Sequence, residues 1–246
     1  MAFVLGDHDE GTTASAVDNV VLSLTGTAVN SQIVVAVYWY DPGATITISS
    51  ITCSGESNLT VHEDPIVDTG SGHNFLQISS LANNTGGGDK TITVTMSAAP
   101  GSGALHAKAT EFTGGDVTGF FDKSASAYGT FGGSTSASTS ITTAGANSLI
   151  YVAGSSAYVG VTYTPGANYT ELSDVGPANL GSTYAEYDLD AGVAGSKTAD
   201  FTLSETDDWM LHAVALYATG QAPAAAANGP HSMLMTHQRY LRVANA

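Results

Sequence analysis

Short runs of apolar and β-branched residues recur along the first half of the chain, and turn-forming residues separate them. Seven such runs read VVLSLTG, QIVVAVYWY, TITISSITCSG, NLTVHED, NFLQISSL, KTITVTMS and ALHAKATEF. Runs rich in Val, Ile, Thr, Tyr and Phe between Gly, Asn, Asp and Pro clusters predict β-strands. In KTITVTMS, Ile92, Val94 and Met96 alternate with threonines, which is typical of a half-buried antiparallel strand. The run IVVAV (33–37) is apolar on both faces and predicts a central strand that is buried twice.

The strand pattern occurs twice, because the second half of the chain repeats the first. Four blocks match in the same order: Thr25–Val37 with Thr142–Gly154, Gly55–Asp64 with Pro165–Asp174, Lys90–Ser97 with Lys197–Ser204, and Ala104–Gly114 with Met210–Gly220. Seven or eight strands in each copy, with no helical period, predict an all-β fold of two homologous antiparallel β-sandwich domains in tandem. The pattern does not distinguish a jelly-roll-like from an immunoglobulin-like topology. The predicted boundaries are an N-terminal segment 1–11, domains 12–117 and 118–220, and a linker and tail 221–246.

The residues after Gly220 break this pattern. QAPAAAANGP is an Ala-rich linker, and the tail 229–246 reads GPHSMLMTHQRYLRVANA, with the only two arginines of the chain and no acidic residue. The tail is expected to be extended or to form a short amphipathic helix, and an isolated helix of this length is marginal in water. We therefore expect the tail to become ordered on a partner. The main alternative is that its two arginines pair with an acidic sandwich, so that the tail folds back on its own chain. The candidate docking residues are Met233, Leu234, Met235, Arg239, Tyr240, Leu241 and Arg242.

Charge limits the classes of partner. The 246 residues contain 22 acidic and six basic residues, for a net charge of −16, and only 11% are charged, against about 25% in an average soluble domain. This balance opposes binding to nucleic acid and to anionic membrane. No apolar run is long enough to span a membrane, and residues 1–13 lack the pattern of a signal peptide. The single cysteine, Cys53, excludes an internal disulfide and is expected to be a small buried residue.

One loop carries candidate metal ligands. The segment 61–74 contains His62, Asp64, Asp68 and His73, a mixture of imidazoles and carboxylates that could hold Ca²⁺ or a transition metal. The spacing matches metal-binding loops poorly, which favours a solvated loop and no cofactor. Two other acidic runs, LGDHDEG and SETDDW, are likewise expected to be surface turns.

Aromatic residues supply a candidate glycan platform in the first domain. Tyr38, Trp39 and Tyr40 are adjacent, so the two tyrosines share one face of the predicted strand and Trp39 takes the other. Either all three complete the core, which we favour, or one face is exposed for sugar stacking. No motif indicates a catalytic nucleophile or a phosphate-binding loop, so the chain is not expected to be an enzyme.

The repeat unit resembles β-sandwich domains of uncharacterised tailed-phage virion proteins and bacterial surface proteins. The resemblance rests on the NS-(L/Q)-I-x-V-A strand, the GANYTEL-like segment, the KT-x-x-x-T strand and the closing A-x-A-x-x-(Y/F)-x-TG, and it covers roughly residues 12–220. It implies a structural or adhesive module.

Two functions follow from this resemblance and from the composition. The first is a structural component of a phage virion, such as a head decoration, minor capsid, tail or fibre protein. Such a protein would be assembled in the host cytoplasm, be exposed on the particle, and bind other virion subunits or further copies of itself. The alternative is a secreted pair of carbohydrate-binding β-sandwich modules.

Overall fold

The fold consists entirely of β-strands wherever regular structure is present in the described residues. A computed structural model of the chain describes residues 2–14, 17–56, 59–62, 64–68, 73–83, 86–100, 104–176 and 180–221. The strands are β1 (Val4–Ala14), β2 (Asn19–Thr27), β3 (Ser31–Tyr40), β4 (Ile48–Cys53), β5 (Thr60–Val61), β6 (Ile66–Asp68), β7 (Asn74–Asn83), β8 (Gly88–Met96), β9 (Ala104–Thr113), β10 (Phe121–Thr143), β11 (Leu149–Ser156), β12 (Tyr163–Pro165), β13 (Thr170–Val175), β14 (Ser182–Asp188) and β15 (Gly195–Leu216). Across these ranges no helix is long and apolar enough to cross a membrane.

The strands form three sheets, and every ladder between them is antiparallel. The first large sheet has the order β1-β9-β3-β7-β5, with β6 also paired to β7. The second large sheet has the order β10-β15-β11-β14-β13, with β12 also paired to β15. The small sheet has the order β2-β8-β4. The predicted all-β, antiparallel class is confirmed.

The small sheet packs on one face of the first large sheet in a β-sandwich-like layer. Ile92, Val94 and Met96 of β8 are buried, and the threonines between them are not, as their alternation predicts. They meet Ile33, Val35, Val37 and Trp39 of β3, together with Cys53 of β4 and apolar residues of β7 and β9. The expected burial of Cys53 is confirmed.

The other face of β3 is buried against the second large sheet. Val34, Ala36 and Tyr38 lie in a core shared by the two large sheets, which we call the shared core. The second sheet contributes Leu149, Tyr151, Ala153, Ala185, Tyr187, Met210, Val214 and Leu216. All residues of β3 from Ser31 to Trp39 are therefore buried, which confirms the two-sided burial predicted for this strand.

Polar contacts reinforce the shared core. The Tyr38 hydroxyl donates to the Tyr184 backbone oxygen at 2.8 Å, and the Lys108 ammonium donates to Glu10 at 3.1 Å and to Ser173 at 2.6 Å. Lys108 is only 2% exposed, and burial lowers its pKa although Glu10 opposes that shift. Its charge is thus matched by a carboxylate on β1 and by a hydroxyl on β13, which belong to different large sheets.

The second large sheet folds over on itself through its two longest strands. The first part of β10, Phe121–Gly129, pairs with Trp209–Leu216 of β15, and the last part of β10, Ser136–Thr143, pairs with Gly195–Thr202. A third core fills the fold between them and includes Ile150, Tyr184 and Phe201. The strand order in each half is the same once β10 and β15 are divided at the bend: β1, β9, β3, β7, β5 in one and β10, β15, β11, β14, β13 in the other.

The repeated Asn-Ser pair forms the same turn in both halves. Asn30 and Asn147 have φ values of 62° and 55°, in the left-handed region that asparagine tolerates better than most residues. Ser31 then donates to the Ala28 oxygen at 2.9 Å, and Ser148 donates to the Gly145 oxygen at 3.1 Å. The pair therefore fixes the turn that enters β3 and β11.

The two acidic runs expected to be surface turns lie in strands, so that expectation was wrong. LGDHDEG lies in β1, where Asp9 accepts a hydrogen bond from the Ser23 amide at 2.7 Å and Asp7 accepts one from the Thr25 amide at 2.6 Å. These carboxylates tie the edge of the first large sheet to β2. SETDDW lies in β15, where Asp207 accepts a hydrogen bond from the Tyr158 amide at 2.9 Å.

Residues 4–11, predicted as a separate N-terminal segment, pair with β9.

Candidate functional site

A cleft of about 680 Å³ opens where the second large sheet folds over, beside the turn between β14 and β15. We call it the acidic cleft. It is lined by Ile150 of β11, by Ala167, Asn168 and Tyr169 of the loop before β13, by Asp188, Asp190, Ala191 and Gly192 at the turn, and by Ser196, Lys197, Thr198 and Asp200 of β15. The lining combines hydrogen-bonding side chains, one aromatic ring and an excess of carboxylates.

Carboxylates dominate the charge of the acidic cleft. Asp188, Asp190 and Asp200 face one cation, Lys197. Burial raises the pKa of Asp188 and the pKa of Asp200 above the usual aspartate range. At Asp188 the hydrogen bond from the Asp190 amide and the charge of Lys197 oppose this rise in pKa, whereas the Asp190 carboxylate adds to it. A cationic group entering the cleft would relieve this repulsion and favour the ionised carboxylates.

A buried carboxyl lies behind this rim. Glu186 is two residues before Asp188 on β14, so its side chain takes the same face of the strand as the cleft-lining Asp188. It is 0% exposed, and its Oε2 accepts hydrogen bonds from the Gly166 amide at 3.1 Å and the Tyr184 hydroxyl at 3.0 Å. Its Oε1 is buried without a hydrogen-bond partner among the described atoms. Burial raises the pKa of Glu186 to about 8.

The loop whose Gly166 amide donates to Glu186 is fixed by Tyr169. The Tyr169 amide donates to the Gly166 oxygen at 3.1 Å, and the Tyr169 hydroxyl donates to the Thr198 oxygen of β15 at 3.1 Å. Asn168 between them has a φ of 74°, which allows the tight turn. One wall of the acidic cleft is therefore held against the other by a tyrosine.

The two aligned lysines, Lys90 and Lys197, have different surroundings in the two halves. Lys90 is buried and forms an ion pair with Glu56 at 3.0 Å, which satisfies its charge inside the first half. Lys197, its counterpart in the repeat, lines the acidic cleft. The acidic cleft is thus a property of the second half, where Glu186, Asp188 and Asp190 have no acidic counterparts in the first copy.

A second, smaller depression adjoins the acidic cleft and lies at the end of the described chain. It has a volume of about 170 Å³ and is lined by Ala2, Asn147, Leu189, Asp190, Ala218, Thr219 and Gln221. Asp190 lines both hollows. Residue 221, after which the linker and tail follow, therefore lies next to the acidic cleft.

Two of the three rings in the aromatic cluster of the first half, Tyr38 and Trp39, are buried and form no exposed platform. Tyr38 and Trp39 are each 1% exposed, and Tyr40 is partly buried beside the shared core. The Trp39 ring stacks on Phe75 with centroids 4.9 Å apart, and its Nε1 donates to the Ile46 oxygen at 3.1 Å. The platform interpretation is wrong for Tyr38 and Trp39, because β3 is central to its sheet and both of its faces are covered.

The described side chains of the candidate metal ligands do not lie together in the fold. The His62 ring stacks on the Phe121 ring with centroids 3.9 Å apart, and its Nε2 shares a hydrogen bond with the Ser80 hydroxyl. Asp64 is exposed, and His73 has a φ of 68° in the turn before β7, where its backbone oxygen accepts from the Asp41 amide. Asp68 ends β6, and its side chain lies outside the described set. Within the described residues, no group of three or more His, Cys, Asp or Glu side chains is arranged to hold a metal ion.

The predicted docking residues lie outside the described residues. This applies to Met233, Leu234, Met235, Arg239, Tyr240, Leu241 and Arg242. Their proposed role therefore stays a prediction from sequence.

Sequence reasoning missed the acidic cleft, although a signal for it was present. Glu186, Asp188 and Asp190 are spaced by two in YAEYDLDAG, and a spacing of two on a strand puts carboxylates on one face. The contribution of Asp200, Asn168 and Tyr169 depends on the fold-over of the second large sheet, which the sequence pattern does not reveal. No protein-family model matches this chain, and no curated protein is significantly similar to it.

Proposed function

We propose that this chain is a non-catalytic structural component of a tailed-phage virion, with two homologous β-sandwich domains in tandem. In this proposal the domains span 12–117 and 118–220, after an N-terminal segment 1–11 that pairs with the first. The linker and tail 221–246 attach the protein to neighbouring virion subunits, including further copies of itself. The position on the particle is that of a head decoration, minor capsid, tail or fibre protein.

The shared core is the observation that carries the proposal. The two large sheets bury Val34, Tyr38, Tyr151 and Val214 to 1% exposure or less, as completely as the inside of either layer. Two modules joined in this way cannot move independently without exposing their largest apolar faces to water. A rigid body of this kind suits a part of an assembly that has to keep its shape.

The duplicated strand order and the charge distribution support the same function. The matching orders of the two halves favour duplication of one domain. All 22 acidic residues precede residue 209, and both arginines are in the tail. An acidic body avoids the packaged genome, whereas Arg, Tyr and Met in the tail are residue types enriched at protein interfaces.

The carbohydrate-binding alternative has lost the feature on which it was based. It used Trp39 with Tyr38 or Tyr40 as an exposed platform, and Trp39 and Tyr38 are buried while Tyr40 is partly buried beside the shared core. No other described observation favours a sugar over a different polar ligand, so the structural function is preferred.

The proposal is tested by deleting residues 223–246 and measuring incorporation into phage particles. We expect the shortened protein to keep its circular dichroism spectrum, because every residue of the three described cores precedes residue 219. We expect it to be lost from purified particles. Incorporation at the level of the full chain would refute attachment through the tail.

A further inference from the structure

We propose that the acidic cleft is the binding site for the basic tail, residues 229–246, of the same chain. The tail then folds back onto the second half of the protein when the protein is free in solution. This inference goes beyond the proposed function and does not require a place on a virus particle.

Charge is the first argument for this occupant. The cleft presents Asp188, Asp190 and Asp200 against the single cation Lys197. The tail contains Arg239 and Arg242 and no acidic residue. A guanidinium group is planar and donates in a fork that matches a carboxylate, and such charge-assisted pairs are stronger than neutral hydrogen bonds.

The buried carboxyl of Glu186 is the second and independent argument. It shares a strand face with the cleft-lining Asp188, is 0% exposed, and has one oxygen anchored by Gly166 and Tyr184. The other oxygen, Oε1, is buried without a hydrogen-bond partner among the described atoms. A buried polar oxygen without a partner is costly, so an arginine that reaches it from the cleft would be stabilised and would favour the ionised carboxyl.

The path of the chain is the third argument. Gln221 and Asp190 line the same small depression, and Asp190 also lines the acidic cleft. A flexible linker the length of residues 222–238 has an average end-to-end distance on the order of 20–25 Å. Arg239 can therefore return to the cleft, and a tether of this kind gives an effective concentration in the millimolar range. This local concentration favours the tail of the same chain over that of another copy in dilute solution.

The test uses a fluorescent peptide of residues 229–246 and the full chain. A tail variant, Arg239→Ser with Arg242→Ser, should leave the cleft open, so the peptide should bind it at least tenfold more tightly than it binds the unchanged chain. The difference should shrink in high salt, because exposed ion pairs are screened. Equal binding of the peptide to both chains, measured by fluorescence anisotropy, would overturn the proposal.

Cleft variants in the tail-variant background locate the site. Asp188→Asn with Asp200→Asn should weaken peptide binding at least tenfold, and Glu205→Gln, an exposed carboxylate further along β15, should not. Thr198→Lys adds a cation at an exposed position on the cleft wall and should weaken binding in the same way if the double variant is unstable. Unaffected binding to a folded cleft variant would contradict the assignment.

Sedimentation distinguishes the same chain from another copy. The unchanged chain should be monomeric at micromolar concentration, and the tail variant should sediment identically. A dimer that dissociates on Arg239→Ser with Arg242→Ser would overturn the same-chain occupant.

Discussion

Glu186 combines a fully buried carboxyl with only two anchoring donors. The Gly166 amide and the Tyr184 hydroxyl both reach Oε2, so they favour the ionised form, but burial outweighs them and raises the pKa to about 8. Asp200 and Glu171 add a smaller effect in the same direction. When no cation occupies the acidic cleft, the carboxyl is therefore largely protonated at neutral pH inside the folded protein.

This protonation makes the stability depend on pH. The folded pKa of Glu186, about 8, exceeds its ordinary value of 4.5, so the folded state keeps a proton that the unfolded chain releases in between. The stabilisation from the proton on Glu186 is fully present below about pH 4.5 and is lost as the pH rises through 8. Over this range the free energy of unfolding falls by at most roughly 1.4 kcal/mol per pH unit. In the open-cleft variant, Arg239→Ser with Arg242→Ser, Glu186→Gln should flatten the decline of the unfolding free energy between pH 5 and pH 8, measured by urea titration.

The exposed Glu205 supplies the matched comparison for this prediction. Glu205→Gln removes one carboxylate of the same type from the same sheet and should leave the pH slope unchanged. A slope that is the same in the open-cleft variant with and without Glu186→Gln would show that the carboxyl of Glu186 is not held protonated.

At the scale of single elements, the bend in β10 and β15 depends on two glycines. Pairing between the strands is irregular from Gly129 to Ser136. A Cβ on Gly133 would collide with the backbone of Asp207, and a Cβ on Gly129 would collide with the Trp209 indole. Only glycine lets β10 pass this closely over β15, so the fold-over that forms the acidic cleft relies on these positions.

Gly133→Ala should accordingly destabilise the protein by roughly 2 kcal/mol or more, because backbone rather than a flexible side chain has to move. Gly176→Ala is the matched control, since its Cβ would meet Val159 at an ordinary 3.5 Å, and it should change the unfolding free energy by less than about 0.5 kcal/mol. Thermal unfolding followed by circular dichroism measures both. Equal melting temperatures for the two variants would contradict the close approach at the bend.

Strands were more predictable from sequence than their connections. The seven runs predicted in the first half correspond to β2, β3, β4, β5, β7, β8 and β9, because each has period-two alternation or continuous apolar character between turn residues. The strand β1 was missed, since its carboxylates resemble a solvated turn until β2 supplies backbone amides for them to accept from. The long strands β10 and β15 were missed as continuous elements because their Gly, Ser and Thr content is typical of turns.

At the scale of the whole molecule, the shared core links the stability of the two halves. Val34 and Val35 are adjacent on β3 and are both 0% exposed, but Val34 faces the second large sheet and Val35 faces the small sheet. A substitution at Val34 therefore weakens the contact between the two halves, whereas a substitution at Val35 weakens the core inside the first half.

We expect one calorimetric unfolding transition for the unchanged protein, because both halves bury their largest faces together. Val34→Ala and Val35→Ala should each cost roughly 2 kcal/mol from lost burial and the cavity left behind. Val34→Ala should broaden or split the transition, whereas Val35→Ala should lower its temperature without splitting it. Two separate transitions in the unchanged protein would contradict a shared core that couples the halves.

The packing of one half on the other and the acidic cleft were beyond the reach of sequence reasoning. Tyr38 and Tyr151 are apolar strand positions whether they face solvent, a ligand or another sheet, and only long-range geometry distinguishes these cases. The cleft likewise gathers Tyr169, Asp188 and Asp200 from three strands or loops that are distant in sequence.

The most direct test of the proposed virion role is a cryo-electron microscopy reconstruction of purified particles that carry this protein. We expect density for the fused two-half body at the particle surface, repeated with the particle's symmetry, and tail density that extends to a neighbouring subunit. A complete reconstruction in which every ordered density belongs to other proteins would contradict it.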